Sequence, residues 1–240
     1  MDILSATRPI ATRFDWPVAT LLPGALVRLE RQGAYARPLA KGGRRADALR
    51  DWMQQAAGCI AALAHPQVAL APVGCRVIPG GIEIAGRVEL DDEELARLVS
   101  LGGTVTAYLL TLGYAQKDAF DWLGGDYGAH HVQSDLAGET LFALGRAVHR
   151  RQAEASPGCR LRRVAIQTQA ACGQRRFWDA ARVQALLGVF DGVNPGVSVT
   201  DTGCFQPLQS ILGLEIRMPP GIPASPEPLS DTWARSEPVP

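Results

Sequence analysis

The residues able to do chemistry stand in a few short stretches. His130 and His131 precede Asp135 in "GAHHVQSDLAG". A histidine and an aspartate four residues apart share one face of a helix, as a metal-ligand pair or as a solvated polar face. A metal site needs three or four ligands, and no third ligand stands at matching spacing. A polar or capping role is therefore the expectation. His149 lies in "RAVHRRQ". It is a candidate for an anion-facing patch, or a member of an ordinary basic last turn, where cations suit the helix dipole. Cys159 sits in "EASPGCR", residues 154–160. A cysteine beside a histidine can act as a nucleophile, but the sequence places no base next to it, and Pro157-Gly158 signals a turn. The five cysteines, at 59, 75, 159, 172 and 204, form no CxxC. That pattern argues against a disulfide framework or a Cys-rich zinc site and for reduced, partly buried thiols.

Hydrophobic patterning outlines the elements that must carry these residues. Residues 1–43 contain Pro9, Pro17, Pro23, Pro38 and Gly42-Gly43, which predicts a loop-rich segment. Leu49, Trp52, Met53, Ala56, Ile60 and Leu63 mark one face of a helix over 44–64, ended by His65-Pro66. "QVALAPVGCRVIPGGIEIAG" reads as strands around a Pro79-Gly80-Gly81 turn. "DDEELARLVS" is a short helix with acids at its positive end. "TVTAYLLTLG" has the composition of a buried strand, and another short helix follows near 115–123. A long helix, rich in small residues, is expected from about 128 to 152. Residues 160–169 read as a strand, 177–190 as a helix, and "GVSVTDTG" and "QSILGLEIRM" as strands. After Pro219 the chain is proline-rich, a flexible tail or a docking segment in which Trp233 is the one large apolar residue. The expected units are therefore 1–43, a domain over 44–218, and a tail over 219–240.

The chain has 240 residues, 47% of them hydrophobic, so it can bury a substantial core. Lys+Arg and Asp+Glu are 24 each, which announces neither nucleic acid nor an anionic membrane. No stretch approaches the roughly 18–20 apolar residues that span a bilayer. "MDILSATRPIATRFDW" does not read as a secretory signal, so a cytoplasmic location is the expectation. Nucleotide-binding glycine loops and a GxSxG nucleophile elbow are absent from the sequence. Without regular βαβ alternation, the expected fold class is α+β, a largely antiparallel twisted sheet flanked by helices.

Taken in order, several segments resemble the activation domain of cobalamin-dependent methionine synthase and its stand-alone relatives. "ALRDWMQQAAGCIAALAHPQVALAPVG" is similar to its opening helix and first strand, and "VTAYLLTLG" to its buried strand. "GGDYGAHHVQSDLAG" resembles a stretch with a Gly-Asp-Tyr start, matched by Gly125, Asp126 and Tyr127, then by Asp135 and Gly138. Ser156, Pro157, Gly158 and Cys159 stand where the family has a Ser-Pro-Gly-Tyr or Ala-Pro-Gly-Tyr loop. "FWDAARVQALL" fits the helix after that loop. Thr200, Asp201, Pro207, Ser210 and Gly213 match a Thr-Glu-Ser strand and a following proline and Ser-x-Ser-Gly segment.

What the resemblance implies is a domain that binds S-adenosylmethionine and docks on a corrinoid or a corrinoid-carrying methyltransferase protein. In the family a spent corrinoid is reduced and trapped by methylation. Asp135, Gly138, the loop 156–159, Thr200, Asp201, Ser210 and Gly213 are the implied contacts, with Gly138, Gly158 and Gly213 converging on one hollow. Three departures stand out. Glu154 replaces the arginine that holds the ligand carboxylate, Cys159 replaces the tyrosine near the corrinoid, and Ala143 stands where an acid often appears. Arg160, Arg162, Arg163, Arg175 or Arg176, from the inserted "LRRVAIQTQAACGQRR", are candidate replacements for the missing guanidinium. Three readings remain: an S-adenosylmethionine-binding accessory of a corrinoid system, a non-catalytic docking module able to take another tetrapyrrole or a partner protein, and an enzyme using Cys159.

Overall fold

The structure, a computed structural model, describes residues 10–166 and 180–221. Residues 167–179 of the expected insertion, with Cys172, Arg175 and Arg176, and residues 222–240 of the expected tail, with Trp233, lie outside the described residues. The helix α3 (Arg44–Leu63) buries Ala46, Leu49, Met53, Ala56, Cys59 and Ile60, the face that periodicity selects. It stops at Ala64, which is extended, because His65 precedes a proline.

The strands β1 (Thr12–Asp15), β2 (Gln67–Val73), β6 (Thr104–Thr111), β7 (Arg160–Ile166) and β10 (Ser210–Met218) form one sheet. Its order is β1-β2-β6-β10-β7, with every pair antiparallel. Both faces are covered, which is why β6 and β10 read as near-continuous apolar runs. Tyr108, Leu110 and Ile211 face a helical layer of α3, α5 (Gln116–Trp122) and α6 (Tyr127–Glu154). Leu109, Leu212, Leu214 and Ile216 face the opposite way. They pack on β3 (Cys75–Ile78), β4 (Gly81–Ile84), β5 (Val88–Leu90), α4 (Glu93–Ser100) and α7 (Ala180–Leu187). Each such leucine contributes ~1.5–3 kcal/mol by leaving water. The β8 (Ser198–Val199) and β9 (Phe205–Gln206) hairpin lies on that second side through Phe205. The α+β expectation is met.

The loop-rich expectation for the N-terminal segment is corrected. Residues 10–43 contain β1, α1 (Leu22–Arg31) and α2 (Gly33–Lys41). Pro17 precedes a one-turn 3-10 helix and Pro23 occupies the first turn of α1, where a missing N–H costs nothing. Leu21, Ala25 and Leu29, at four-residue spacing, are buried in the same core as α3 and α6. Pro17 and Pro23, read as loop signals, mark helix starts, and Pro38 lies inside α2.

Candidate functional site

The long helix α6 carries most of the candidate residues. Asp126 caps it, its Oδ1 accepting from the Gly128 and Ala129 amides at 2.8 and 3.1 Å. Twenty-eight residues follow, about 42 Å at 1.5 Å per residue. A stripe through Val132, Leu136, Leu144 and Val148 is buried in the core shared with α1 and α3, and Tyr35 of α2 reaches Asp135 on the helix.

In the first half the outward carboxylates are engaged. Asp135 accepts a hydrogen bond from the Tyr35 hydroxyl, and Glu139 accepts from Gln32 Nε2 at 2.9 Å. Burial, and then the Asp135 carboxylate, push the Tyr35 phenol up. His131 Nε2 is 4.0 Å from Asp135. His130 instead bonds Gln116 Nε2 at 2.9 Å, and Gln116 accepts from Gln209 at 2.7 Å. Among the described residues no group of three His, Cys, Asp or Glu is placed to hold a metal ion.

In the second half the surroundings are cationic. A cleft of about 520 Å³ is lined by Trp16, Thr20, Leu21, Gly24 and Arg28 from the α1 region, by Ala143, Arg146, Ala147, His149 and Arg150 from α6, and by Arg163 from β7. That volume lies in the usual ~300–1,000 Å³ range of small-molecule sites. None of these lining residues is a carboxylate. Desolvation, then repulsion from Arg28, lowers the Arg146 pKa; Arg163 adds repulsion and Glu139 opposes it. Arg163 donates to the Gly145 carbonyl at 2.6 Å and pairs across the sheet with Glu215. Glu215 in turn takes His149 Nδ1 at 3.0 Å. Arg163 also lies 6.0 Å from the Tyr108 ring centroid. Burial carries that phenol up to about 12, with Arg163 opposing and Glu215 adding to the shift.

The described chain matches a solved structure, the reactivation domain of MetH crystallised with AdoHcy, at 17% identity and a TM-score of 0.56. The match spans 92% of this chain and 82% of that one.

The fold is that of the MetH reactivation domain.

Comparison with protein-family models gave no match, and neither did comparison with curated proteins. At this identity the MetH likeness speaks for the fold alone.

On that MetH-like frame the sequence-selected residues are scattered. Gly138 and Gly158 are separated by sixteen helical residues of α6 and the turn beyond, about 24 Å along the axis. Gly213 is filled from within: a Cβ there would lie 2.2 Å from the Tyr108 hydroxyl oxygen. The expected common hollow of Gly138, Gly158 and Gly213 is therefore not formed. The 154–160 stretch ends α6 and closes on itself, the Cys159 amide donating to the Ser156 carbonyl at 3.1 Å and Gly158 taking φ +79°. That positive φ is the reason for a glycine there. The Ser156 hydroxyl is buried without a partner, Pro157 is exposed, and Cys159 is half-buried. Thr200 closes the β8–β9 turn, its Oγ1 accepting from the Cys204 amide at 3.1 Å, and Asp201 is exposed at the tip. Ser210 is buried at the start of β10, bonded to Thr111 and to the Pro207 carbonyl. Since Ser210 starts β10 and Arg160 pairs with its last residue, Met218, Ser210 and the loop before Arg160 lie at opposite ends of the sheet.

Of the candidate substitute arginines, Arg163 enters the cleft while Arg162 turns to Glu94 at 2.7 Å. Adjacent strand residues face opposite sides, so only one of the pair can. The sequence singled out His149 in its basic turn and Arg163. It missed Arg28 and Trp16, whose segment read as loop, and Arg146, whose neighbours across space are invisible in the chain.

Proposed function

We propose that the protein is a binding accessory of a corrinoid-dependent methyl-transfer system, not a self-sufficient enzyme, and that the cleft beside the second half of α6 is its ligand site. One observation carries this reading. Arginines from α1, α6 and β7 line a cleft around Ala143, the position where the resembling family often carries an acid. With Glu154 in place of the family's arginine, Arg163 and Arg146 supply the guanidinium for the carboxylate of S-adenosylmethionine or its demethylated form. A charge-assisted hydrogen bond of this kind is worth ~1.5–3 kcal/mol. The chain's own part is to bind and orient, while the bound donor supplies the methyl group. Cys159, half-buried in a self-closed turn, offers a macrocycle no flat surface, so no corrinoid step is assigned to that loop. A cytoplasmic corrinoid-carrying methyltransferase is the partner in this reading. The AdoHcy bound by the MetH neighbour supports an adenosyl ligand of this kind.

The second reading, a docking module that keeps the fold without the S-adenosylmethionine site, is favoured by Asp135. Its carboxylate is already taken by Tyr35. Titration calorimetry with S-adenosylmethionine and AdoHcy separates the two. Binding that weakens about tenfold in Arg163→Gln, a loss of ~1.4 kcal/mol, supports the accessory role. No heat and no thermal shift at millimolar ligand leaves the docking module.

A further inference from the structure

We infer that the arginine-lined cleft selects a ligand bearing a phosphoryl group beside a flat ring, the chemistry of a nucleoside phosphate. The inference rests on the reading of this cleft as the ligand site and adds what that site demands. Arg28, Arg146, Arg150 and Arg163 line it, and no carboxylate does. Among the described residues Arg28, Arg146 and Arg150 enter no ion pair. S-adenosylmethionine brings one carboxylate but also a sulfonium and an ammonium, so its net charge is positive and it leaves the cleft more cationic than before. A phosphoryl group brings nearly two negative charges and three acceptor oxygens, and guanidinium forks grip it two bonds at a time.

A helix dipole accounts for basic residues only within a last turn. Arg146 is two turns from the end of α6 and half-buried, and Arg163 is on a strand. The Arg146 pKa is lowered first by desolvation and then by repulsion from Arg28, with Glu139 opposing, and a bound anion would relieve that repulsion. The ring partner is Trp16, which lines the same cleft. Its indole Nε1 donates to Thr20 Oγ1 at 3.2 Å, fixing the plane on which a base can stack.

The test is titration of the full chain at constant ionic strength with ADP, pyrophosphate, adenosine, S-adenosylmethionine and AdoHcy, followed by heat and tryptophan fluorescence. ADP binding at least tenfold tighter than adenosine and than S-adenosylmethionine is expected. Arg28→Gln and Arg150→Gln should each weaken ADP about tenfold with the melting temperature unchanged or raised. Should Arg28→Gln fail to fold, Arg28→Lys keeps the charge and loses the fork, and is expected to weaken ADP by a smaller factor. Equal affinity for ADP and adenosine overturns the phosphoryl assignment, and pyrophosphate binding as tightly as ADP overturns the ring. S-adenosylmethionine or AdoHcy binding without ADP sinks this inference and leaves the accessory reading standing. ADP binding without either of them does the reverse.

Discussion

The two halves of α6 belong to one buried core and both meet side chains of the N-terminal segment, yet they end in opposite electrostatic states. Around Asp135 and Glu139, the start of α2 supplies Tyr35 and Gln32 as neutral donors, and each carboxylate finds its partner. About two turns further on, α1 lays Arg28 alongside Arg146 and Arg150, and like charges gather. A satisfied polar contact contributes to stability and asks nothing more of its surroundings. A gathered set of cations costs stability through repulsion, which a bound anion would relieve. Asp135, which resemblance selects, lies in the first condition, and the arginines that geometry brings together lie in the second.

Mutations can break this contrast, beginning where the effect is largest. Beneath the second half of α6, Gly213→Ala drives a Cβ into Tyr108, 2.2 Å from its oxygen and 2.3 Å from Cζ. Overpacking of this kind costs ~3 kcal/mol, read as a lower denaturant midpoint at unchanged slope. A smaller loss would mean that Tyr108 can withdraw, and that the sheet under the cleft is looser than its packing implies. Tyr108 also sets an alkaline limit. Its folded pKa of about 12 exceeds the unfolded 10, so its contribution is complete below pH ~10 and disappears as the pH rises through ~12. At 1.36 kcal/mol per unit this amounts to ~2–3 kcal/mol. Stability measured from pH 9 to 12 should fall less steeply in Tyr108→Phe.

In the first half, Tyr35→Phe removes the donor to Asp135 and is expected to cost ~1 kcal/mol with ligand binding at the cleft intact. A loss of binding would join the two halves into one site. Gly138→Ala is expected to gain ~0.5–1 kcal/mol of thermal stability, since its Cβ meets nothing within 4 Å and helical glycine is costly. A loss there would restore Gly138 as a position of close approach.

Much of the fold is legible in the chain. The apolar runs of β6 and β10 match burial on both faces, and the Leu49–Met53–Ala56–Ile60 stripe marks the face of α3 that packs inward. The Asp92 and Asp126 caps stand where short polar side chains can reach two free amides. The N-terminal helices were hidden because Pro17 and Pro23 signal a turn and a helix start alike, and only packing tells the two apart. The candidate site was legible only in part. His149 and Arg163 drew notice, while Arg28 is 118 residues before Arg146 and no local rule links them.

From residue 44 onward the sequence alone determined most of the helices and strands and that they build an α+β core, because periodicity and capping are properties of neighbours along the chain. Only the tertiary structure decided that Asp135 faces Tyr35, that Tyr108 fills the space over Gly213, and that four arginines share one cleft. Those outcomes depend on where separate elements cross, and electrostatic repulsion or hydrogen bonding acts over distances in space that residue spacing does not encode.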